Sequence, residues 1–403
     1  MISINEAVEI VLDAAEALPT ITLPLERAWG YVLAESVVAD TDMPAFDRSM
    51  MDGYALAASA SGDGKEVQVI ATVPAGHFHP EPVADGHAVK IMTGAPLPDG
   101  CDAVIPVELT SEPDGGRVRL HSAVQSGDNI GFRGEEMKQG EEILAAGTPV
   151  DPAVAAVLAQ AGKSRVSVHR RPRVGILVTG TELVDPGEVP AGGKIRESNS
   201  FGLVAQCLTW GAEPVRIGQA GDERRKLAAA ISAGLEYDVL AITGGVSMGE
   251  FDLVPDLLAD LGVEIMFHKV AQKPAKPMLF GKFGPTLVFG LPGNPVACFL
   301  GFELYAGPAI RRLAGESEYR TRWHQGVSAA DFKVRSDREH LKPAKVEREG
   351  EIWRAHPVAT RGSADICSIV GTNAFARFKQ GQYIVPAGET VEFFFHRGKS
   401  DGV

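Results

Sequence analysis

Three kinds of hydrophobic spacing follow one another along the chain, and each predicts a different structure. Residues 3–18, SINEAVEIVLDAAEAL, set Ile4, Val8, Val11, Leu12, Ala15 and Leu18 at helical intervals, and Ser3 with Glu6 has the form of a capping box. From about 41 to 148, short β-type runs (EVQVIATV, HAVKIM, CDAVIPVEL, GRVRLHSAV) alternate with turns rich in Gly, Pro and Asp, the pattern of an all-β module. Asp151-Pro152 then offers an N-cap and an N1 proline to an alanine-rich helix over 152–161 that stops at Gly162. From about 172 to 314 strands and helices alternate. RVGILVTG, PVRIGQA, DVLAITGG, VEIMF and TLVFG read as strands, while SNSFGLVAQCLTWG, DERRKLAAAISAGLE, LVPDLLADLG and the segment after LPGNP read as helices. That alternation predicts a doubly wound α/β domain with a mostly parallel sheet. After about 318, the runs WRAHPV, AFARF, QYIVPA and TVEFFFH predict a small terminal β domain.

Composition narrows the function classes. At 403 residues the chain is long enough for two to four domains. A net charge of −13 argues against a general nucleic-acid binder, yet leaves room for a pocket that is locally positive. The four cysteines, Cys101, Cys207, Cys298 and Cys367, lie far apart without a C-x-x-C pair, so neither a zinc knuckle nor a disulfide framework is expected. The first residues lack a basic n-region and an apolar core, and no apolar run approaches a membrane span. The expected location is the cytoplasm.

In an open α/β sheet, ligands bind beyond the carboxyl ends of the strands. Here those ends read Thr179-Gly180-Thr181-Glu182, then Gly221-Asp222, then Thr243-Gly244-Gly245-Val246-Ser247 followed by Glu250 and Asp252, and last Leu291-Pro292-Gly293-Asn294-Pro295. A glycine pair at a strand-to-helix junction exposes backbone amides to phosphate. The lysine of a G-x-x-x-x-G-K-[ST] loop is missing, and acids take its place. Glu182, Asp222 and Asp252 converging on a glycine-lined mouth suggest a divalent metal, most simply Mg²⁺, which uses carboxylates plus phosphate oxygens. Each acid also has a plain structural reading: Asp252 caps a helix over 253–261, Asp222 caps a helix over 223–236, and Glu182 is a solvated loop residue. Lys269, Lys273 and Lys276 lie within eight residues on a backbone stiffened by Pro274 and Pro277, either as a solvated loop or as the cations of an anion pocket. Pro292 and Pro295 fix the shape of a turn that launches a helix with Asn294 at its N-cap, and Cys298 reads as core.

An ordered set of motifs across essentially the whole chain resembles the molybdopterin molybdenumtransferases, the bacterial MoeA proteins and the matching E domain of gephyrin. The set is DMPAFDRSMMDGYAL, KIMTGAPLPDGCDAVIPVE, NIGFRGEE, VTGTEL, IRESNS, GGVSMGEFD, KPAKP and LPGNPVA. The resemblance implies a homodimer of four-domain chains: a two-piece domain over 1–44 and 149–171, an inserted β domain over 45–148, a molybdopterin-binding α/β domain over 172–315, and a C-terminal β-barrel over 319–403. It also implies an active site shared across subunits, which consumes adenylylated molybdopterin and molybdate and releases AMP with the help of Mg²⁺. Molybdopterin adenylyltransferase and molybdoenzyme apo-proteins are partners implied in the same way. Asp252, Asp222 and Glu182 match family acids, for metal binding and catalysis, and Asp52, Lys273 and Lys276 are further catalytic candidates. Thr93, Thr179, Gly180, Gly244, Gly245, Ser247, Lys269, Pro292, Gly293 and Pro295 are the implied cofactor-binding set, with Ser363 and Ser368 both near a family serine. The chain departs from the family pattern at Met50, where S-A-M-D-G is usual, at Glu136, where G-E-D is usual, and at an arginine cluster reduced to Arg133. Tungstate in place of molybdate stays open, as do two other readings: an adenylyltransferase-like enzyme, against which the extra β modules argue, and a non-catalytic scaffold, against which the intact acids and lysines argue.

Overall fold

A computed structural model describes residues 1–111, 115–221, 223–246 and 252–396. The chain divides into two compact units, one made of residues 1–35, 146–151 and 165–403, the other of residues 36–145 and 152–164. Among the described residues no helix is long and apolar enough to cross a membrane.

The larger unit is built on a six-stranded sheet. Glu213–Ala220, Arg173–Thr179, Val239–Thr243 and Thr286–Leu291 run parallel in that spatial order, followed by Leu279–Phe283 and then Glu264–His268. The central strands are apolar almost without interruption because both faces of the sheet are covered. Arg224–Gly234 and Val254–Asp260 pack on one face through Leu227, Ile231, Val254 and Leu258. Asn199–Thr209 and the helical segments of 295–313 pack on the other, joined by the N-terminal helix. The strand Leu279–Phe283 was not anticipated from the sequence. It forms an antiparallel hairpin with Thr286–Leu291 across Gly284-Pro285, and its run LFGKF is too short to stand out beside the lysine-rich segment before it.

The N-terminal helix spans Ile4–Ala14 and carries the expected capping box: the Glu6 N–H donates to Ser3 Oγ at 3.2 Å and the Ser3 N–H to Glu6 Oε2 at 2.8 Å. It stops before the apolar run does, because Ala15 is extended and the Leu18 N–H is taken by Leu313 O at 2.8 Å. Distant pieces of chain then meet in a three-stranded sheet, where Arg165–His169 lies between Thr20–Pro24 and Val32–Leu33. At the C-terminal end His324–Ser328, Glu339–Glu349, Ile352–Pro357, Ala374–Phe378 and Thr390–Phe395 close into a five-stranded barrel, since Glu339–Glu349 pairs with both Ile352–Pro357 and Ala374–Phe378. The two-residue strand Gln272–Lys273 lies parallel to the start of Glu339–Glu349, with Gln272 opposite Glu339 and Lys273 opposite His340. This pairing ties the lysine-bearing loop to the barrel.

In the smaller unit a five-stranded sheet, ordered Ala103–Pro106, Gly53–Leu56, His87–Ile91, Glu66–Val73 and Arg117–Arg119, has an apolar cluster on each face. Tyr54 and Leu56 belong to one cluster and Ala55 to the other, as strand alternation requires.

A tight contact lies in the buried helical stretch Pro295–Gly301, Phe302–Ala306 and Gly307–Leu313, whose middle segment is a π-helical turn. Glu303 in that turn accepts from Gln206 Nε2 at 2.8 Å and from Trp210 Nε1 at 3.2 Å, which fixes the indole. A Cβ on Gly307 would stand 2.4 Å from Trp210 Cε2, so only glycine passes the ring. Gly307→Ala should therefore lower unfolding stability by about 1–3 kcal/mol through overpacking, against the usual helix gain on replacing glycine. Urea denaturation followed by tryptophan fluorescence measures this, and an unchanged midpoint would show that the indole yields.

Candidate active site

Three parallel strands end at a single cavity of about 610 Å³ in the larger unit. Thr179, Gly180 and Glu182 follow the first strand, Thr243, Gly244 and Gly245 the second, and Pro292, Gly293 and Pro295 the third, while Asp252 lines the same space. Of the four strand ends expected to converge, the edge strand Glu213–Ala220 does not contribute Ala220 or Gly221 to this lining. Asp222 and Ser247, with Glu250, lie outside the described residues.

The chain can turn here only because Gly244 has no side chain. At φ +90° its Cβ would sit 2.6 Å from Thr179 O. The Gly244 N–H donates to Leu291 O at 3.1 Å, so this amide completes the sheet and is not offered to a ligand. Asn199 closes the arrangement by donating through Nδ2 to Thr243 Oγ1 and to Gly293 O, both at 2.8 Å. Asp252 is not the N-cap of the following helix, which spans Val254–Asp260 with Leu253 at the cap position. The carboxylate therefore stands one residue before the cap and lines the cavity instead. Among the described residues no group of three metal-ligating side chains is assembled. Glu182 and Asp252 are two hard carboxylate donors at one cavity, a set that suits an ion bound by one or two carboxylates plus phosphate oxygens.

A second cavity of about 260 Å³ shares Pro277, Pro292 and Asn294 with the first. Its charged lining is entirely basic: Lys273, Lys276, Arg338 and Lys342, with His340 and Ser363 beside them and no Asp or Glu among its lining residues. Burial, and then the charges of Lys273, Lys342 and Arg338, press the His340 imidazole down to about 4, so the ring is neutral at neutral pH. Burial and Lys273 likewise lower the Lys342 ammonium. The Ser363 hydroxyl accepts from Asn294 Nδ2 at 2.9 Å, and Ser363 O accepts from the Val296 N–H at 2.9 Å, so Ser363 joins the proline turn to the cationic cavity. Ser368 differs: it is buried, its hydroxyl donates to Asp365 O at 2.6 Å, and it lines neither cavity. Lys269 also lines neither; its N–H donates to Met278 O at 2.8 Å.

In the smaller unit Asp52 and Thr93 form a pair. Asp52 Oδ1 accepts from the Thr93 N–H at 2.7 Å and from Thr93 Oγ1 at 2.8 Å, bonds that hold the Asp52 carboxyl below its ordinary value. Two of the three departures from the family motifs are also paired there, with Glu136 accepting from Arg48 Nη2 at 2.5 Å and Arg133 donating through Nε to Asp42 Oδ2 at 2.6 Å.

Two residues of the IRESNS motif, Glu197 and Asn199, join the site although the motif alone gives them no role. Glu197 is buried, lines the first cavity, and accepts from the Ser200 N–H at 2.7 Å and from Ser200 Oγ at 2.6 Å. Arg338, His340 and Lys342 were also missed; His340 and Lys342 lie two apart on the strand Glu339–Glu349, a legible signal for one shared face, and Arg338 immediately precedes that strand.

Three family profiles match the chain in order: "MoeA N-terminal region (domain I and II)" over residues 2–162, "probable molybdopterin binding domain" over 175–312, and "MoeA C-terminal region (domain IV)" over 325–395. The chain is 35% identical to the molybdopterin molybdenumtransferase of Bacillus subtilis (strain 168), an alignment covering 98% of this chain and 94% of that relative. It is 32% identical to the molybdopterin molybdenumtransferase of Staphylococcus aureus (strain COL), covering 97% and 94%. The crystal structure of a molybdopterin biosynthesis moeA protein from Pyrococcus horikoshii OT3 matches with a TM-score of 0.82 at 30% identity, over 98% of this chain and 100% of that one. With identity at this level along nearly the whole length, the chain belongs to the MoeA family of molybdopterin molybdenumtransferases.

Proposed function

We propose that the chain carries out molybdenum insertion in cofactor biosynthesis, taking adenylylated molybdopterin and molybdate as substrates and releasing AMP. The observation that supports this most is the division of charge between two adjoining cavities. Glycines, three carboxylates (Glu182, Glu197 and Asp252) and Arg196 line the one at the strand ends, and four cations with no acid line the other. An adenylylated pterin brings a phosphoanhydride that suits the first, and molybdate is a compact oxyanion that suits the second. Lysine acts toward such an anion as a point charge, and Arg338 adds a planar fork of donors.

In this reading Glu182 and Asp252 hold Mg²⁺, which supplies neutralisation of the anhydride's charge when bound. Asp222 and Ser247 belong to the same proposed set. Thr179, Gly180, Gly244, Gly245, Pro292, Gly293 and Pro295 shape the phosphate and pterin side, Lys273, Lys276, Arg338, Lys342 and Ser363 bind the oxyanion, and the Asp52–Thr93 pair adds a substrate contact. Lys269 shapes the start of the basic loop. The proposal includes a homodimer with the active site shared across subunits, the domain division given by the motifs, and a cytoplasmic location.

The direct test is incubation with adenylylated molybdopterin, Mg²⁺ and molybdate while AMP is followed. Release that does not depend on molybdate would overturn the assignment. Asp252→Ala should abolish molybdate-dependent AMP release while leaving the melting temperature unchanged, because Asp252 does not occupy the helix cap. Loss of both together would return Asp252 to a structural role. Lys276→Ala should raise the molybdate KM by about 10–100-fold, the weight of one charge-assisted hydrogen bond of ~1.5–3 kcal/mol. Ser368→Ala should change it less than about twofold, since its hydroxyl is held by Asp365 O. Steady-state kinetics with varied molybdate separates the two.

A further inference from the structure

The loop that carries Lys273 and Lys276 is held in a conformation that its own sequence does not favour. Ala275, between them, has φ +64°, and Lys269 at the loop's start has φ +80°, both in the left-handed region that non-glycine residues avoid. Such a backbone persists only where its surroundings over-determine it. Part of the restraint is local: the Val270 N–H donates to Lys276 O at 3.0 Å, and the Gln272 N–H to Val270 O at 2.8 Å.

The rest comes from a buried polar chain. Gln272 is completely buried, and its Nε2 donates to Ala275 O at 3.3 Å. Its Oε1 accepts from Tyr305 Oη at 2.5 Å. Tyr305 is itself buried, in the π-helical turn Phe302–Ala306, and its ring lies in an apolar cluster with Phe267 and Phe280. Burial pushes the Tyr305 phenol up, so it remains a donor at any working pH. In that cluster a phenylalanine would fill nearly the same volume without a polar atom. A hydrogen-bonded hydroxyl buried in an apolar cluster specifies a unique geometry more than it adds stability.

We propose that Tyr305 and Gln272 are positioning residues for the oxyanion: through the Tyr305–Gln272–Ala275 chain they fix the loop on which Lys273 and Lys276 stand. The inference rests on the reading of the acid-free cavity as the molybdate site. Neither residue need touch the substrate; each acts through the lysines.

The test is a kinetic cycle on the full chain, with adenylylated molybdopterin, Mg²⁺ and molybdate as substrates and melting temperatures recorded for every variant. Tyr305→Phe should raise the molybdate KM about tenfold, with kcat and the KM for adenylylated molybdopterin within twofold of the parent. Gln272→Glu keeps an acceptor for Tyr305 but loses the donor to Ala275 O, and should raise the molybdate KM by at least as much. The double variant Tyr305→Phe/Lys276→Ala should show a molybdate KM well below the product of the two single penalties, because only Lys273 is then left to position. An unchanged molybdate KM in Tyr305→Phe, an equal rise in both KM values, or penalties that multiply in the double variant would each overturn the inference while leaving the molybdate site standing. If Lys276→Ala itself left the molybdate KM unchanged, the reading of the cavity would fall and this inference with it.

Discussion

The site depends on how closely the chain can turn after Val239–Thr243. Gly244 passes over Thr179 O at a distance that excludes any side chain, and its N–H continues the sheet by bonding Leu291 O. That one close approach brings the ends of three strands to a common mouth. Asn199 then locks Thr243 to Gly293, so the glycine turn and the proline turn are set relative to each other by the hydrogen bonds of one side chain. The apolar strands beneath supply the rigid base, buried on both faces by helices. A functional site mounted on such ends is held more tightly than one on free loops.

Charge is arranged on this frame by separation. A chain with a net charge of −13 nonetheless presents a cavity whose charged lining is all basic, beside one that carries Glu182 and Asp252. The cations are brought together from two distant parts of the chain. Lys273 and Lys276 come from the loop after the α/β sheet's edge, Lys342 from the barrel strand Glu339–Glu349 and Arg338 from the bend just before it, joined by the short parallel pairing of Gln272–Lys273 with Glu339 and His340. Bringing like charges together costs energy that a bound anion would recover, and under the proposed reading this suits the cavity to an anion of small size and high charge density. His340, held neutral among these cations, lines the cavity without adding to their repulsion.

Much of this was legible in the sequence. The capping box at Ser3 and Glu6, the uninterrupted apolar strands and the strand-end glycines all have local causes, and local causes leave local patterns. What was not legible depends on contacts between distant residues. The strand Leu279–Phe283 is defined by its hairpin partner. Arg338 and Lys342 reach the site only because the barrel pairs with the lysine loop, and nothing near Ser363 or Ser368 in sequence says that the first bonds Asn294 while the second bonds Asp365. Of the two readings of Asp252, the helix cap fails by one residue, which leaves Asp252 at the cavity wall. Length and motif order, in contrast, carried the family assignment over nearly the full chain.

The central claim is that phosphate chemistry and oxyanion binding occupy adjoining but separate cavities. Crystals of the protein soaked in molybdate and measured at the molybdenum absorption edge test it most directly. The account predicts an anomalous peak within the cavity lined by Lys273, Lys276, Arg338 and Ser363. A peak among Glu182, Asp252 and the strand-end glycines, with the cationic cavity empty, would contradict it.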